Sequence, residues 1–155
     1  MKKIKTYVVM CAVNFPVNHS KAGNPTGFRG AILLGDKIHT IRGNYELWKK
    51  RIFEVKAGRA ELSLREWTGK PYASKQKEFA RLGAGDEVGV EKLIGELVFL
   101  NKPSLHIKQG DVNHIIPVWR VANHDGLSYQ DFTDWFNNPV FPMAIIHFTG
   151  FRYVG

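Results

Sequence analysis

The pattern of apolar and polar positions changes period several times along the chain. Residues 4–13 (IKTYVVMCAV) form a β-branched, aromatic run that predicts a buried first strand. Asparagine, proline and glycine then crowd residues 14–30, which predicts a long loop of the kind that carries function or moves. FRGAILLG reads as a short helix, with Gly35 free to take the left-handed conformation that ends it. GDKIHTIR follows as a strand. Tyr45, Trp48, Ile52 and Val55 recur at helical spacing, one amphipathic stripe opened by Asn44 and closed at Gly58. RAELSLREW alternates with Ala60, Leu62 and Leu64 inward, TGKPY is turn chemistry, and SKQKEFARL is a polar strand or extended arm. KLIGELVFL is apolar nearly throughout, as in a strand covered on both faces. Pro117 opens a short helix ended by Gly126, and Ser128 with Asp131 forms a capping signature for another through Phe136. MAIIHFTGFRY gives the last strand, and Trp119, Trp135 and Phe136 are expected in the core. Strands interrupted by three or four short helices predict an α+β fold.

Composition adds a bias in charge. The 155 residues suit one domain, 1–155, and 44% hydrophobic with 23% charged residues argues against global disorder. Lys and Arg total 22 against 14 Asp and Glu, a formal charge of +8. That surplus favours a polyanionic partner, nucleic acid first, beside the plain alternative of a basic protein without one. The single cysteine, Cys11, rules out an internal disulfide and fits a reducing cytoplasm. The N-terminal MKKIKTYVVMCAVNF imitates a secretory leader, but Lys5 and Thr6 interrupt its apolar run and no small-residue cleavage site follows. No stretch approaches the ~20 apolar residues of a membrane helix. His114, His124 and His147 lack metal-ligand spacing, so neither metal nor cofactor is expected.

Chemistry-bearing residues concentrate in two places. In GDKIHTIR, strict alternation puts Ile38, Thr40 and Arg42 on one face and Lys37, His39 and Ile41 on the other. Lys37 and Thr40 therefore converge only if Lys37 sits on a bend after Gly35. Arg42 offers a planar fork for a phosphate, carboxylate or base edge, or else a salt bridge. His39 reads as a packed core histidine. Lys21, Thr26 and Arg29 in the preceding loop could close over an anion, with Gly23 and Gly27 permitting backbone approach. In REWTGKPYASKQK, Trp67 and Tyr72 interleave with Arg65, Lys70, Lys75 and Lys77, aromatic faces for bases among cations for phosphates. The same segment also reads as a hairpin whose lysines keep an edge strand soluble. Asp131 is most simply a helix-capping residue and Asp125 a turn residue; Glu46 and Glu66 are stray acids.

GDKIHTIR, ANHDGLSYQDFTDWF and the closing AIIHFTGFRY together resemble the ASCH superfamily of PUA-like domains, over roughly residues 28–42 and 110–153. The resemblance implies a PUA-like β-barrel with short helices around it, and a family-specific insertion at about 44–100. It further implies a cleft for RNA or a modified nucleotide beside the lysine-threonine strand. Lys37 and Thr40, which the resemblance supplies, join Arg42, Lys21, Arg29, Trp67, Lys70 and Tyr72, read from the residues themselves, as the ligand-binding candidates. One branch of the family is an amidohydrolase of acetylated cytidine that uses a lysine, a threonine three residues later, and a glutamate. Lys37 and Thr40 match the first two, and the glutamate has no clear counterpart in this chain.

Overall fold

The computed structural model describes residues 3–99 and 102–155. In chain order they form β1 (Lys5–Met10), α1 (Phe28–Leu34), β2 (His39–Arg42), α2 (Tyr45–Lys56), β3 (Ala60–Trp67), β4 (Gln76–Leu82), β5 (Gly89–Phe99), β6 (Lys102–Gln109), β7 (Val112–Ile116), α3 (Val118–His124), α4 (Tyr129–Trp135) and β8 (Met143–His147). The strands make two sheets, β1-β3-β4 and β2-β8-β5-β6-β7. β1 and β3 run parallel, in register from Lys5 opposite Ala60 to Met10 opposite Arg65, with α1, β2 and α2 inserted as the crossover between them. The five-stranded sheet is antiparallel throughout.

The α+β class follows directly. Neither sheet closes into a barrel: β1 and β2 are each the outer strand of their own sheet. Leu62, Leu64 and Val9 from one sheet join Ile41, Ile145, Leu93 and Ile107 from the other, with Ile52 and Val55 of α2, in the buried core. Asn44 caps α2 as its side chain suggests, Oδ1 accepting from the Leu47 amide at 3.3 Å.

Several expectations shift. The first strand ends at Met10, and the last ends at His147, with Phe148–Tyr153 leaving the sheet. Along the described side chains of β5, Leu93 is buried while Val90, Glu91, Lys92 and Ile94 are half-buried, so that part of the strand is not fully covered on both faces. The apolar residues of its far end lie outside the described side chains. β6 and β7 are additional strands; SLHIKQ and VNHII alternate with so many polar residues that their apolar half, Leu105, Ile107 and Ile116, gives only a faint signal. Trp119 is 62% exposed because the short α3 turns Val118, Val121 and Ala122 inward instead. Trp135 and Phe136 pack against the core from its margin. Among the described residues no helix is long and apolar enough to cross a membrane, and no cluster of His, Cys, Asp or Glu is placed to hold a metal.

Candidate functional site

The turn after α1 decides where Lys37 points. Gly35 adopts φ 82°, a left-handed value that side-chain-bearing residues avoid. The amides of Asp36 and Lys37 both donate to the Ala31 carbonyl, at 2.8 and 3.0 Å. Lys37 thus belongs to the helix-ending turn, and the strand begins two residues later at His39. Released from the alternation of β2, Lys37 lines the same hollow as Thr40 and Arg42.

That hollow lies between the two unpaired strand edges, bounded by Met10, Cys11 and Ala12 at the end of β1 and by Thr40, Ile41 and Arg42 of β2. Phe28, Leu127, Trp135 and Phe136 supply apolar walls. Its volume is about 100 Å³, room for several waters or one small headgroup but not for a folded chain. Arg42 spans the gap, one Nη donating to the Met10 carbonyl. Its Nε is shut off from solvent and has no partner among the described residues. Burial pushes the guanidinium down from its ordinary value. A buried cation with an unused donor is costly unless something completes it.

Lys37 is 2% exposed. Its Nζ donates to the Asp125 backbone carbonyl at 2.7 Å and to Asp125 Oδ1 at 3.0 Å, and sits 4.2 Å over the Phe28 ring. Asp125, equally buried, also meets His39 Nδ1 at 3.2 Å. Burial drives the Asp125 carboxyl upward, but Lys37 and His39 outweigh it and hold the group below its usual range. The chain of contacts continues, His39 Nε2 to Tyr153 Oη at 2.7 Å and Tyr153 Oη to His124 Nδ1 at 3.0 Å. One assignment satisfies every member: His124 donates to Tyr153, Tyr153 to His39, and His39 to Asp125, which also accepts from Lys37. Burial, with Asp125 next, raises the Tyr153 phenol well above its ordinary value, so it stays a donor.

The hollow therefore presents an ammonium, a guanidinium and a hydroxyl against one carboxylate, inside aromatic walls. Among the described residues Thr40 Oγ1 takes no hydrogen bond, although Thr40 is only 6% exposed. Such a set suits a planar, polar headgroup that accepts several hydrogen bonds. Compared with protein-family models, with curated proteins and with solved structures, the chain matches none. The chemistry of the site thus rests on its own geometry.

The other candidates lie elsewhere. Lys21 Nζ pairs with Asp131 Oδ2 at 2.8 Å, and neighbouring contacts pin the loop to α4: His19 Nε2 to the Asp131 carbonyl, and the Ser20 amide to Asp134 Oδ2. The loop is docked rather than closed over an anion. Asp131 consequently gives its carboxylate to Lys21, while Ser128 still accepts the Asp131 amide at 3.1 Å. Thr26 Oγ1 donates to the Ala12 carbonyl at 2.6 Å. Arg29 pairs with Glu66 at 3.2 Å in an adjoining hollow that shares Ala12 and Phe28 with the first. Trp67 and Tyr72 face each other across the β3–β4 turn, ring centroids 5.2 Å apart, with Tyr72 91% exposed and Lys70 in the same turn. None of Lys21, Trp67, Lys70 and Tyr72 lines the hollow. Glu46 lies on α2, away from it, and Glu66 is taken by Arg29; the acid of the site is Asp125.

The packing around Lys37 can be tested through its neighbour. Gly126 has φ 77°, and a Cβ there would stand 3.2 Å from Lys37 Cβ and 3.3 Å from its Cδ. Gly126→Ala is expected to cost roughly 1–3 kcal/mol in urea unfolding; a loss under ~0.5 kcal/mol would show that the contact relaxes freely. The buried histidines make stability depend on pH. Burial lowers the His147 imidazole from its ordinary 6.5, against the pull of Glu91 at 2.7 Å, and also lowers His124. Below pH 6.5 the unfolded chain takes up protons that these folded imidazoles refuse, so stability falls as the pH drops. The slope is at most about 1.4 kcal/mol per pH unit for His147 and smaller for the more exposed His124. Asp125 and Glu91, both depressed, keep their contribution in this range and lose it only as the pH falls through the carboxylate range. Unfolding at pH 7.5 and 5.5 checks the sign; greater stability at 5.5 contradicts it.

Proposed function

We propose that this chain is a binding module that takes one base or nucleoside-like headgroup of an RNA or modified nucleotide into the hollow between β1 and β2. The observation that carries this reading is the convergence on one small concavity of Lys37, Thr40 and Arg42, whose buried Nε has no partner among the described residues. A base edge supplies planar acceptors for those donors, and Phe28, Trp135 and Phe136 offer rings for its faces. The reading is consistent with the ASCH resemblance, in which the Lys37–Thr40 strand borders the cleft. Two open sheets facing each other across β1 and β2 suit an incomplete PUA-like barrel whose unzipped seam is the ligand entrance. Calorimetric titration with nucleosides and nucleoside monophosphates, cytidine and N4-acetylcytidine included, tests it. Saturable binding that is lost in Thr40→Val and Arg42→Met supports the reading, and absence of binding at millimolar ligand overturns it.

A second reading has one observation in its favour: Lys37, Thr40 and a carboxylate, Asp125, gather around the same hollow. An amidohydrolase of acylated nucleosides would need Lys37 to take the Thr40 proton and an acid to return one to the leaving amine. Lys37 is a donor in both of its contacts, the posture of a group that holds an acceptor rather than one that removes a proton. Release of acetate from N4-acetylcytidine, abolished by Lys37→Ala, would move the reading from binding to catalysis.

A further inference from the structure

We propose that a second surface, the basic groove along α2 that continues over β5 and β6, is a track for the phosphodiester backbone of single-stranded nucleic acid. The groove measures about 830 Å³ beside α2 and joins, past Val90 and Arg152, a further hollow of about 360 Å³. Lys49, Lys50 and Lys56 line the first part, Lys92 and Lys108 the second. None of these five lysines is in an ion pair among the described residues; the pairs of Lys and Arg there belong to Lys21, Arg29, Lys37, Arg59 and Arg81.

Two of the three acids that share the groove, Glu54 and Glu91, are already used. Glu54 is held by Arg59 through two hydrogen bonds of 2.8 and 2.9 Å. Glu91 accepts from His147 and from the amides of Tyr153 and Val154. Glu46 sits in the first turn of α2, where it complements the positive end of the helix. Lys49, Lys50, Lys56 and Lys108 are therefore left to face solvent without an ion-pair partner, while Lys92, half-buried, holds its ammonium 5.2 Å from the centroid of the Tyr45 ring; together they make a positive strip that concentrates polyanions.

Shape selects among polyanions. Lys49 to Lys56 spans about 10 Å along the helix axis, and the concave run suits a narrow flexible chain better than a flat bilayer. Phe53, 65% exposed between the lysines of α2, offers a ring for base stacking. The surface shares no lining residue with the β1–β2 hollow, so it stands whether or not that hollow takes a base.

Fluorescence anisotropy of a labelled 12-nucleotide oligouridylate between 25 and 200 mM salt is the test. Binding at low salt with a log–log slope of about −3, for four or five neutralised phosphates, is expected. Lys49→Glu/Lys50→Glu should weaken binding at least about tenfold and flatten that slope by roughly 1.4. Phe53→Ala should weaken it a few-fold at every salt concentration. Lys49→Gln/Lys50→Gln, which leaves the lining of the β1–β2 hollow intact, should keep the affinity for free cytidine within about twofold of the parent chain, so the two sites fail separately. If charge reversal unfolds the chain, Lys49→Gln/Lys50→Gln carries the same comparison. No binding at 25 mM salt, full affinity in the lysine variants, or capture by phosphatidylserine vesicles but not by the oligonucleotide would overturn the proposal.

Discussion

Asp125→Ala is expected to lower the stability of the fold by about 3–5 kcal/mol, more than any other single change at the hollow. The substitution leaves the Lys37 ammonium and the His39 Nδ1–H buried beside a vacated carboxylate position, each stripped of a partner at 3.0 or 3.2 Å. Desolvation of both groups is then uncompensated. For a chain of this length the midpoint of thermal unfolding should fall by roughly 6–20 °C. A paired design separates charge from packing. Lys37→Met/Asp125→Asn removes the buried cation together with the anion, while the asparagine carbonyl still accepts from His39. Its loss should be much smaller than that of Asp125→Ala, because exchanging a buried pair for neutral groups is often close to neutral. If the double variant is as unstable as the single one, the ion pair is not what Asp125 supplies.

Arg42→Met separates stability from function in the opposite sense. Arg42 holds a desolvated charge with an orphaned Nε and no carboxylate partner among the described residues. An apolar side chain of similar length relieves that cost, so urea unfolding should show stability unchanged or raised by about 1 kcal/mol. Ligand affinity should fall about 10- to 100-fold, the worth of one or two charge-assisted hydrogen bonds. Loss of both stability and binding would mean that the guanidinium serves mainly to tie β2 to β1.

How much of the fold and the site is legible in the sequence follows from the range of each interaction. The Gly35 turn, the Asn44 cap and the Tyr45–Val55 stripe are written within a few adjacent residues, and all three appear where the pattern puts them. The displacement of Lys37 from the β2 alternation is likewise local, since it depends on a glycine two residues before it. Asp125 is different. It lies 88 residues from Lys37, and its D-G context looks like an ordinary turn; only the packing of α3 against the start of β2 makes it the partner of a buried lysine. His39 is a core residue, as its isoleucine neighbours suggest, but it is joined to Asp125 and Tyr153 by contacts that no spacing encodes. Lys21 and Arg29 read as free loop cations because their acids, Asp131 and Glu66, come from distant elements. The uncompensated lysines of α2 are hidden in the sequence for the converse reason: a K-K-R run on a helix looks like any solvated face until the neighbouring acids are seen to be occupied.

The most direct test of the central claim is an NMR titration resolved at backbone amides and methyl groups, with cytidine 5′-monophosphate and N4-acetylcytidine as ligands. Saturating shifts at Cys11, Ala12, Thr40, Ile41 and Leu127, absent in Arg42→Met, are the result expected of a base seated between the two strand edges. Shifts confined to other surfaces, or none at millimolar ligand, would show that the hollow beside Lys37 is not a binding site.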